Sequence, residues 1–241
     1  MGGFSSGKVS GHVHEGVATL CLDDGKANTF ERSTFDALMA GLDFAEQNAN
    51  ALVLTGRAGF FSAGLDLKVL PAVSKEERVA TIHRFGEAIV RLFVFPKPVV
   101  AAVSGHALGA GAMLALAADV RLAVDGPFRF GLNEVAIGMV VPTFGVELAR
   151  ATVPTTMLPD LVLHGRIYNP TELMARGLFE ALLPAEQLMP SAHERAIGLG
   201  ALAQHAYAHT KLRLRGAAAD LAQAKLADES PWLVDALESR P

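Results

Sequence analysis

Three short segments combine glycine with polar or acidic side chains in patterns that can support chemistry. In the first, FFSAGLDLK at 60–68, Gly64 permits a tight turn after a strand and predicts a helix that begins at Leu65. The first N–H groups of a helix have no internal partner and carry partial positive charge, so they can bind a carbonyl oxygen that becomes anionic during a reaction. The segment therefore predicts an amide donor near Leu65, with an ordinary strand-to-helix turn as the alternative.

The second segment, SGHALGAGAML at 104–114, places three glycines at the start of an apolar helix predicted over 107–119. Three interpretations are open. The glycines can allow close packing between helix and strand, they can cradle a dinucleotide pyrophosphate, or they can present a second amide donor at Ala110 opposite Leu65.

The dinucleotide interpretation would make the protein a dehydrogenase, and Tyr207 and Lys211 do have the Y-x-x-x-K spacing of short-chain dehydrogenases. In such folds, however, the phosphate loop follows the first strand, whereas this loop begins at residue 104. We therefore expect no saturable binding of a nicotinamide cofactor.

The third segment, FGLNEVAIGM at 130–139, contains a single carboxylate, Glu134, among apolar residues. A lone glutamate usually lies on the surface or at the start of a helix. If Glu134 is buried, desolvation raises its pKa towards the range in which a carboxylate serves as a general acid or base near neutral pH.

Strands and helices alternate over the first two thirds of the chain, as expected for an α/β domain. Strands are predicted at 17–22, 51–56, within 96–105 and at 120–124, and helices at 34–48, 74–92, 107–119 and 144–151. The rest is mostly helical. We predict a core over 1–195 that carries the site, followed by a helical region over 196–241.

The composition excludes several classes of function. The 241 residues are 51% hydrophobic and carry a formal net charge of −4 without a basic cluster, so a nucleic-acid or membrane surface is not expected and a small-molecule or protein partner is favoured. Cys21 is the sole cysteine, which excludes an intrachain disulfide. His164, His205 and His209 lack the partners of a metal site, so we predict no metal.

The N-terminus lacks the apolar segment of a secretory signal peptide, and we expect a cytoplasmic protein.

Taken in order, these motifs resemble the crotonase (enoyl-CoA hydratase/isomerase) superfamily. The resemblance rests on KAN at 26–28, FSAGLDL, PKPVVAAVSGHALGAG, AAD at 117–119, FGLNEVAIGM and LHGRIYNPTELMARGLFEALLP, and it covers nearly the whole chain. It implies a spiral of ββα units with a C-terminal helical trimerisation region, and hence a homotrimer or hexamer. It also implies that the partner is an acyl-CoA thioester of fatty acid metabolism, with no separate cofactor.

The resemblance further implies roles for individual residues. The N–H groups of Leu65 and Ala110 would form an oxyanion hole for the thioester carbonyl, and Glu134 would be the acid and base. The residues implied to lie along the CoA moiety are Lys26, Ala27, Ala63, Asp66, Leu67 and Lys68.

The sequence departs from the family pattern at two acid positions. Hydratases of the family use two glutamates, and the first of them aligns with Met113, whose thioether cannot act as a base. Dienoyl isomerases of the family place an acid where this chain has Pro142. The resemblance therefore favours a double-bond isomerase with Glu134 alone, while a hydratase and a non-catalytic acyl-CoA-binding protein remain the alternatives.

Two further features are interpreted as structural. His106 lies between the two amide segments, and we expect it to pack near the loop without transferring protons. The run TKLRLR at 210–215 is interpreted as a solvated helix face, with contact to CoA phosphates as its functional alternative.

Overall fold

The computed structural model describes residues 3–238, with only the backbone of residue 238. The strands are β1 (Gly3–Ser6), β2 (Val9–His14), β3 (Val17–Leu22), β4 (Thr29–Phe30), β5 (Ala51–Gly56), β6 (Gly59–Ser62), β7 (Gly64–Leu65), β8 (Val99–Val103), β9 (Gly105–Leu108), β10 (Val120–Val124), β11 (Phe130–Gly131) and β12 (Ala181–Leu183). The α-helices are α1 (Arg32–Asn48), α2 (Lys75–Phe93), α3 (Ala110–Ala117), α4 (Thr143–Thr152), α5 (Pro170–Ala175), α6 (Ala185–Gly200) and α7 (Gln204–Glu238).

The largest sheet has seven strands in the order β1-β2-β3-β5-β8-β10-β12. The first three strands are antiparallel and the rest, from β3 onwards, are parallel. Parallel strands are usually covered on both faces and are therefore apolar throughout. Accordingly, every residue of β5 is buried. Helix α6 covers one face through Leu188, Ala192 and Ala196, and α1, α2 and α3 contribute to the larger core on the other face. The prediction of an α/β domain is confirmed.

Several predicted elements are confirmed, and three need correction. The strands predicted at 17–22, 51–56 and 120–124 have the predicted bounds. The Gly- and Ser-rich N-terminus, which carried no predicted strand, forms the hairpin of β1 and β2. The helix predicted from Leu65 is wrong, because Gly64 and Leu65 form β7 in parallel with β4. The helix predicted over 107–119 begins later, because its first residues belong to β9.

Two small sheets support the segments that carry the candidate chemistry. One has the order β11-β9-β6, and the other pairs β4 with β7. Strand β9 leads into α3 through Gly109, and β11 leads into the loop that holds Glu134. The two small sheets thus place three distant parts of the chain side by side.

Helix α7 is attached to the core by a buried ionic cluster that consists of Asp119, Lys211 and Arg215. Lys211 Nζ lies 2.6 Å from Asp119 Oδ2, and Arg215 Nη1 lies 3.0 Å from Asp119 Oδ1. Arg215 also donates to the carbonyls of Phe93 and Ala117, at the ends of α2 and α3. The prediction of a solvated face at 210–215 is therefore wrong for Lys211 and Arg215, both of which are buried.

The predicted boundary at 195 falls within α6, and the break between the last two helices comes at 201–203. Helix α7 packs against α2 and α4 of the core. Residues 1–2 and 239–241 of the two predicted regions lie outside the described residues.

Candidate active site

One cavity brings together all three segments that the sequence singled out. It has a volume of about 70 Å³, and Gly64, Leu65, Gly109, Ala110 and Glu134 line it. Asn133 adds an amide group, while the rest of the lining is apolar and comes from α2, the loop before α4, the end of α7 and the residues that flank β7. A concave apolar site with a few convergent polar groups is the usual form of a small-molecule site.

The Leu65 amide faces away from β4. In β7 the Asp66 N–H donates to the Phe30 carbonyl at 2.9 Å, and the Gly64 N–H donates to Ser62 Oγ at 3.1 Å. Successive N–H groups of a strand point to opposite sides, so the Leu65 N–H points away from the strand with which β7 pairs. This amide is available because it lies on the open edge of a short strand, and not because it begins a helix.

The Ala110 amide is available for a different reason. Ala110 is the first residue of α3, and the first turn bond of that helix runs from the Met113 N–H to the Gly109 carbonyl at 3.0 Å. Within residues 3–238, no carbonyl or side chain accepts from the Ala110 N–H. The positive end of the helix dipole adds to its affinity for an anion.

Glycines at 64 and 109 let the two amides approach each other. Gly64 has φ of 91°, and a Cβ atom added to it would lie 2.7 Å from the Leu108 carbonyl oxygen and 3.3 Å from the Ala110 nitrogen. Gly109 has a φ of 53°, a backbone conformation that is strained for residues with a side chain. Because β7 lies directly against the start of α3, the Leu65 and Ala110 amides are neighbours in one wall of the cavity.

Glu134 is buried and lies beside these amides. Its side chain is 7% exposed, and its Oε1 would lie 3.3 Å from a Cβ atom added to Gly109. Oε2 has no hydrogen-bond partner among the described residues. Desolvation raises the pKa of Glu134 from 4.5 to about 7, so both protonation states are populated near neutral pH.

The two positions at which family members carry a second acid hold apolar residues here. Met113 is fully buried under α4, and its Cε would lie 2.8 Å from a Cβ atom added to Gly145. Pro142 lines the cavity and precedes α4. Among the described residues that line the cavity, Glu134 is the only ionisable side chain.

The comparisons with known proteins agree with this geometry. Residues 12–239 match the family model of enoyl-CoA hydratase/isomerase. The chain belongs to the enoyl-CoA hydratase/isomerase family. A putative enoyl-CoA hydratase of Thermus thermophilus is 37% identical to it over 183 residues, which cover 73% of this chain and 71% of that protein.

Solved structures of the family confirm the crotonase-like fold. A Pseudomonas syringae member of the enoyl-CoA hydratase/isomerase family has a TM-score of 0.88 and 34% identity, covering 94% of this chain and 98% of its own. A Mycobacterium tuberculosis protein is named an enoyl-CoA isomerase in one solved structure and a probable enoyl-CoA hydratase in another. The first of these structures has a TM-score of 0.85 and 31% identity, covering 92% of this chain and 99% of its own. Relatives of this chain thus include proteins named hydratase and proteins named isomerase.

Two of the six residues implied to contact CoA line the cavity. Ala63 and Leu67 line the cavity, and the Ala63 N–H donates to the Ala27 carbonyl at 2.9 Å. Lys26 and Lys68 are exposed and do not line the cavity. The carboxylate of Asp66 accepts hydrogen bonds from the amides of residues 68 and 69, and these bonds hold the turn after β7. Partial burial acts to raise the pKa of Asp66, but the hydrogen bonds lower it below its usual value.

Other candidate residues lie away from the cavity that contains Glu134. His106 lines a separate cavity, and its Nδ1 accepts from the Arg129 N–H at 3.1 Å. The described residues contain no group of three or more His, Cys, Asp or Glu side chains placed to hold a metal ion. Among the described helices, none is both long and apolar enough to cross a membrane.

Sequence reasoning missed the part of the site that α7 contributes. Leu233, Ala236 and Leu237 line the cavity with Ile82 and Phe85 of α2. These residues look like ordinary helix core in the sequence, because nothing local indicates which other element they will face. Their contribution depends on where α7 docks.

The elevated pKa of Glu134 predicts that ionising this side chain destabilises the fold. Below pH 4.5 the carboxyl is protonated in folded and unfolded chains alike, whereas above pH 7 it is ionised in both and the folded state bears the cost of desolvation. A pKa of about 7 in the folded protein instead of 4.5 means that ionising Glu134 lowers the free energy of unfolding by about 3 kcal/mol. We expect the stability of Glu134→Gln relative to the native protein to rise by about this amount between pH 4.5 and pH 8.

Urea denaturation at several pH values measures this difference. Glu186→Gln, which changes an exposed glutamate of α6, is the matched control and should show no such pH dependence. A constant difference between Glu134→Gln and the native protein across this pH range would contradict the buried, unpaired carboxyl.

Proposed function

We propose that this protein is an enoyl-CoA isomerase that moves the double bond of an enoyl-CoA from the C3–C4 position to the C2–C3 position, with Glu134 as the only acid and base. The observation that carries the proposal is that, among the described residues lining this apolar cavity, a single ionisable side chain lies beside two neighbouring amides. Isomerisation needs one group that takes a proton from one carbon and returns it to another. It does not need a second carboxylate to hold a water molecule.

The proposed reaction starts from a 3-enoyl-CoA. The Glu134 carboxylate removes a proton from C2, and the electron pair moves into the thioester to give a dienolate. The amides of Leu65 and Ala110 stabilise the negative charge that develops on the thioester oxygen, a kind of interaction worth about 3 to 4 kcal/mol for one donor in known oxyanion holes. Protonated Glu134 then returns the proton to C4, which leaves the double bond between C2 and C3 and regenerates the carboxylate.

The raised pKa of Glu134 supports both halves of this cycle. A group with a pKa near the working pH can accept a proton and then release it without a large penalty in either direction. Its Oε2, which has no hydrogen-bond partner in the described part of the chain, offers a lone pair to the substrate. Lys26, Ala27, Ala63, Asp66, Leu67 and Lys68 are proposed to lie along the CoA moiety.

A hydratase is the second candidate, because the Thermus thermophilus relative carries that name. Asn133 also lines the cavity and offers an amide that can orient water. Yet family hydratases use a second acid group, and this chain has Met113 at that position. We therefore expect water addition to be the slower reaction.

Product analysis with the purified protein tests this assignment. We expect conversion of 3-hexenoyl-CoA to 2-hexenoyl-CoA to exceed hydration of 2-hexenoyl-CoA by at least about a hundredfold, the scale of one acid–base group. The products are separated by chromatography and identified by mass, since only hydration adds a water molecule. Faster hydration would assign the protein as a hydratase, and binding of the esters without any conversion would assign it as an acyl-CoA-binding protein.

We also propose that the chain assembles as a homotrimer or hexamer, as the family resemblance implies. Exposed apolar side chains on α7, including Leu212 and Leu214, are consistent with subunit contacts. Sedimentation of the purified protein at several concentrations gives the number of subunits.

A further inference from the structure

One wall of the cavity is entirely apolar and is built from two helices. Ile82 and Phe85 contribute from α2, and Leu233, Ala236 and Leu237 contribute from the last turns of α7. No polar side chain from either helix lines the cavity in the described part of the chain. This wall can therefore contact only an apolar part of a ligand.

Specific contacts hold the end of α7 against the cavity. Leu233 and Val234 are buried and pack with Ile82 in a small hydrophobic cluster. The carboxylate of Glu229 accepts from both the N–H and the hydroxyl of Thr143, at 2.9 Å each. These contacts fix the position of the wall, so the depth of the cavity is a property of the folded chain.

The cavity is small for a site that takes a fatty acyl group. A group the size of a water molecule occupies about 10 to 15 Å³ of cavity volume. The cavity of about 70 Å³ therefore holds about five to seven groups of that size. Part of that space must hold the thioester carbon and oxygen beside Leu65 and Ala110. A long acyl chain does not fit unless α7 moves.

We infer that the site selects short acyl chains of about four to six carbons, and that Leu233, Ala236 and Leu237 set this limit. The inference rests on the proposed acyl-CoA substrate and adds its chain length. Each methylene that enters an apolar site adds about fourfold in affinity, so binding should strengthen up to this length and then weaken.

A series of saturated acyl-CoA esters tests the limit without requiring turnover. We expect calorimetric affinity to rise from acetyl- to hexanoyl-CoA and to fall at least tenfold by dodecanoyl-CoA. The same lengths of 3-enoyl-CoA, from hexenoyl upwards, are assayed for isomerisation in parallel.

Variants of α7 connect the limit to the helix. Leu237→Ala removes volume from a half-buried position and should move the preferred length towards octanoyl- or decanoyl-CoA. Ala236→Leu adds volume and should move it towards butanoyl-CoA. Leu221→Ala makes the same chemical change as Leu237→Ala at an exposed position of α7 outside the cavity and should leave the preferred length unchanged.

The outcomes separate this inference from the proposed function. Affinity that keeps rising to dodecanoyl-CoA, or a preferred length that neither Leu237→Ala nor Ala236→Leu moves, overturns the inference even if isomerisation is observed. A length limit that follows the α7 variants supports it even if no isomerisation occurs, in which case only the reaction assignment fails. Binding of no acyl-CoA at any length overturns both.

Discussion

Replacing Glu134 by glutamine should reduce kcat/KM for isomerisation of a 3-enoyl-CoA by about a thousandfold, within the range of 10² to 10⁴ that general acid–base groups supply. Glutamine has nearly the same shape but cannot accept a proton from carbon. The amides of Leu65 and Ala110 belong to the backbone and keep their places, so binding of a saturated acyl-CoA should change little. Steady-state kinetics and calorimetry on the same preparation measure the two effects separately.

The pH dependence of the native enzyme gives an independent reading of the same residue. Glu134 must be ionised to take the first proton, so kcat/KM should rise with pH and level off above a midpoint near pH 7. For a glutamate in water the midpoint would lie near 4.5. Glu186→Gln is again the control and should retain full activity with the same profile.

A loss of binding that matches the loss of activity would show that Glu134 holds the substrate or the fold and does not transfer protons. Activity that survives in Glu134→Gln would remove Glu134 from the reaction altogether. A midpoint near 4.5 would contradict the buried environment.

The segments of the site could be found from the sequence because each carries a local signal. Gly64 and Gly109 mark the two turns at which amides are exposed, and Glu134 is an isolated charge in an apolar stretch. The local signal was insufficient for secondary structure at Leu65, where pairing with β4, a distant strand, decides the conformation. A strand of two residues has no periodicity to read.

Long-range packing accounts for the remaining differences. The burial of Glu134 and the presence of Leu233 in the same cavity both depend on how α7 and the loop before α4 meet, which no local pattern encodes. Similarly, Lys211 and Arg215 have the spacing of a solvated helix face, and their burial follows from a single carboxylate far back in the chain. Charged residues are rarely buried without a partner, so Asp119 is the feature that the interpretation of 210–215 lacked.

The second large effect is expected at Asp119, where replacement by asparagine should lower the free energy of unfolding by about 3 to 5 kcal/mol at pH 7. Asp119 accepts hydrogen bonds from Lys211 and the Val99 N–H and forms an ion pair with Arg215, and its side chain is largely buried. Asparagine keeps the shape but leaves two buried cations without a counter-charge. Asp220→Asn, an exposed aspartate on α7, is the matched control and should change stability by less than about 0.5 kcal/mol in urea denaturation.

The pH dependence of this loss identifies its cause. Desolvation lowers the pKa of Lys211 to about 8, against the attraction of Asp119. Without Asp119 that pKa falls further, so the folded variant sheds the proton at a lower pH than the native protein. Above pH 8 Lys211 is neutral in both proteins and only Arg215 still lacks its partner, so the stability deficit of Asp119→Asn should shrink as pH rises through this value. A deficit that stays constant from pH 6 to pH 9.5 would mean that Asp119 acts through Arg215 and its bond to Val99, and not through the charge of Lys211.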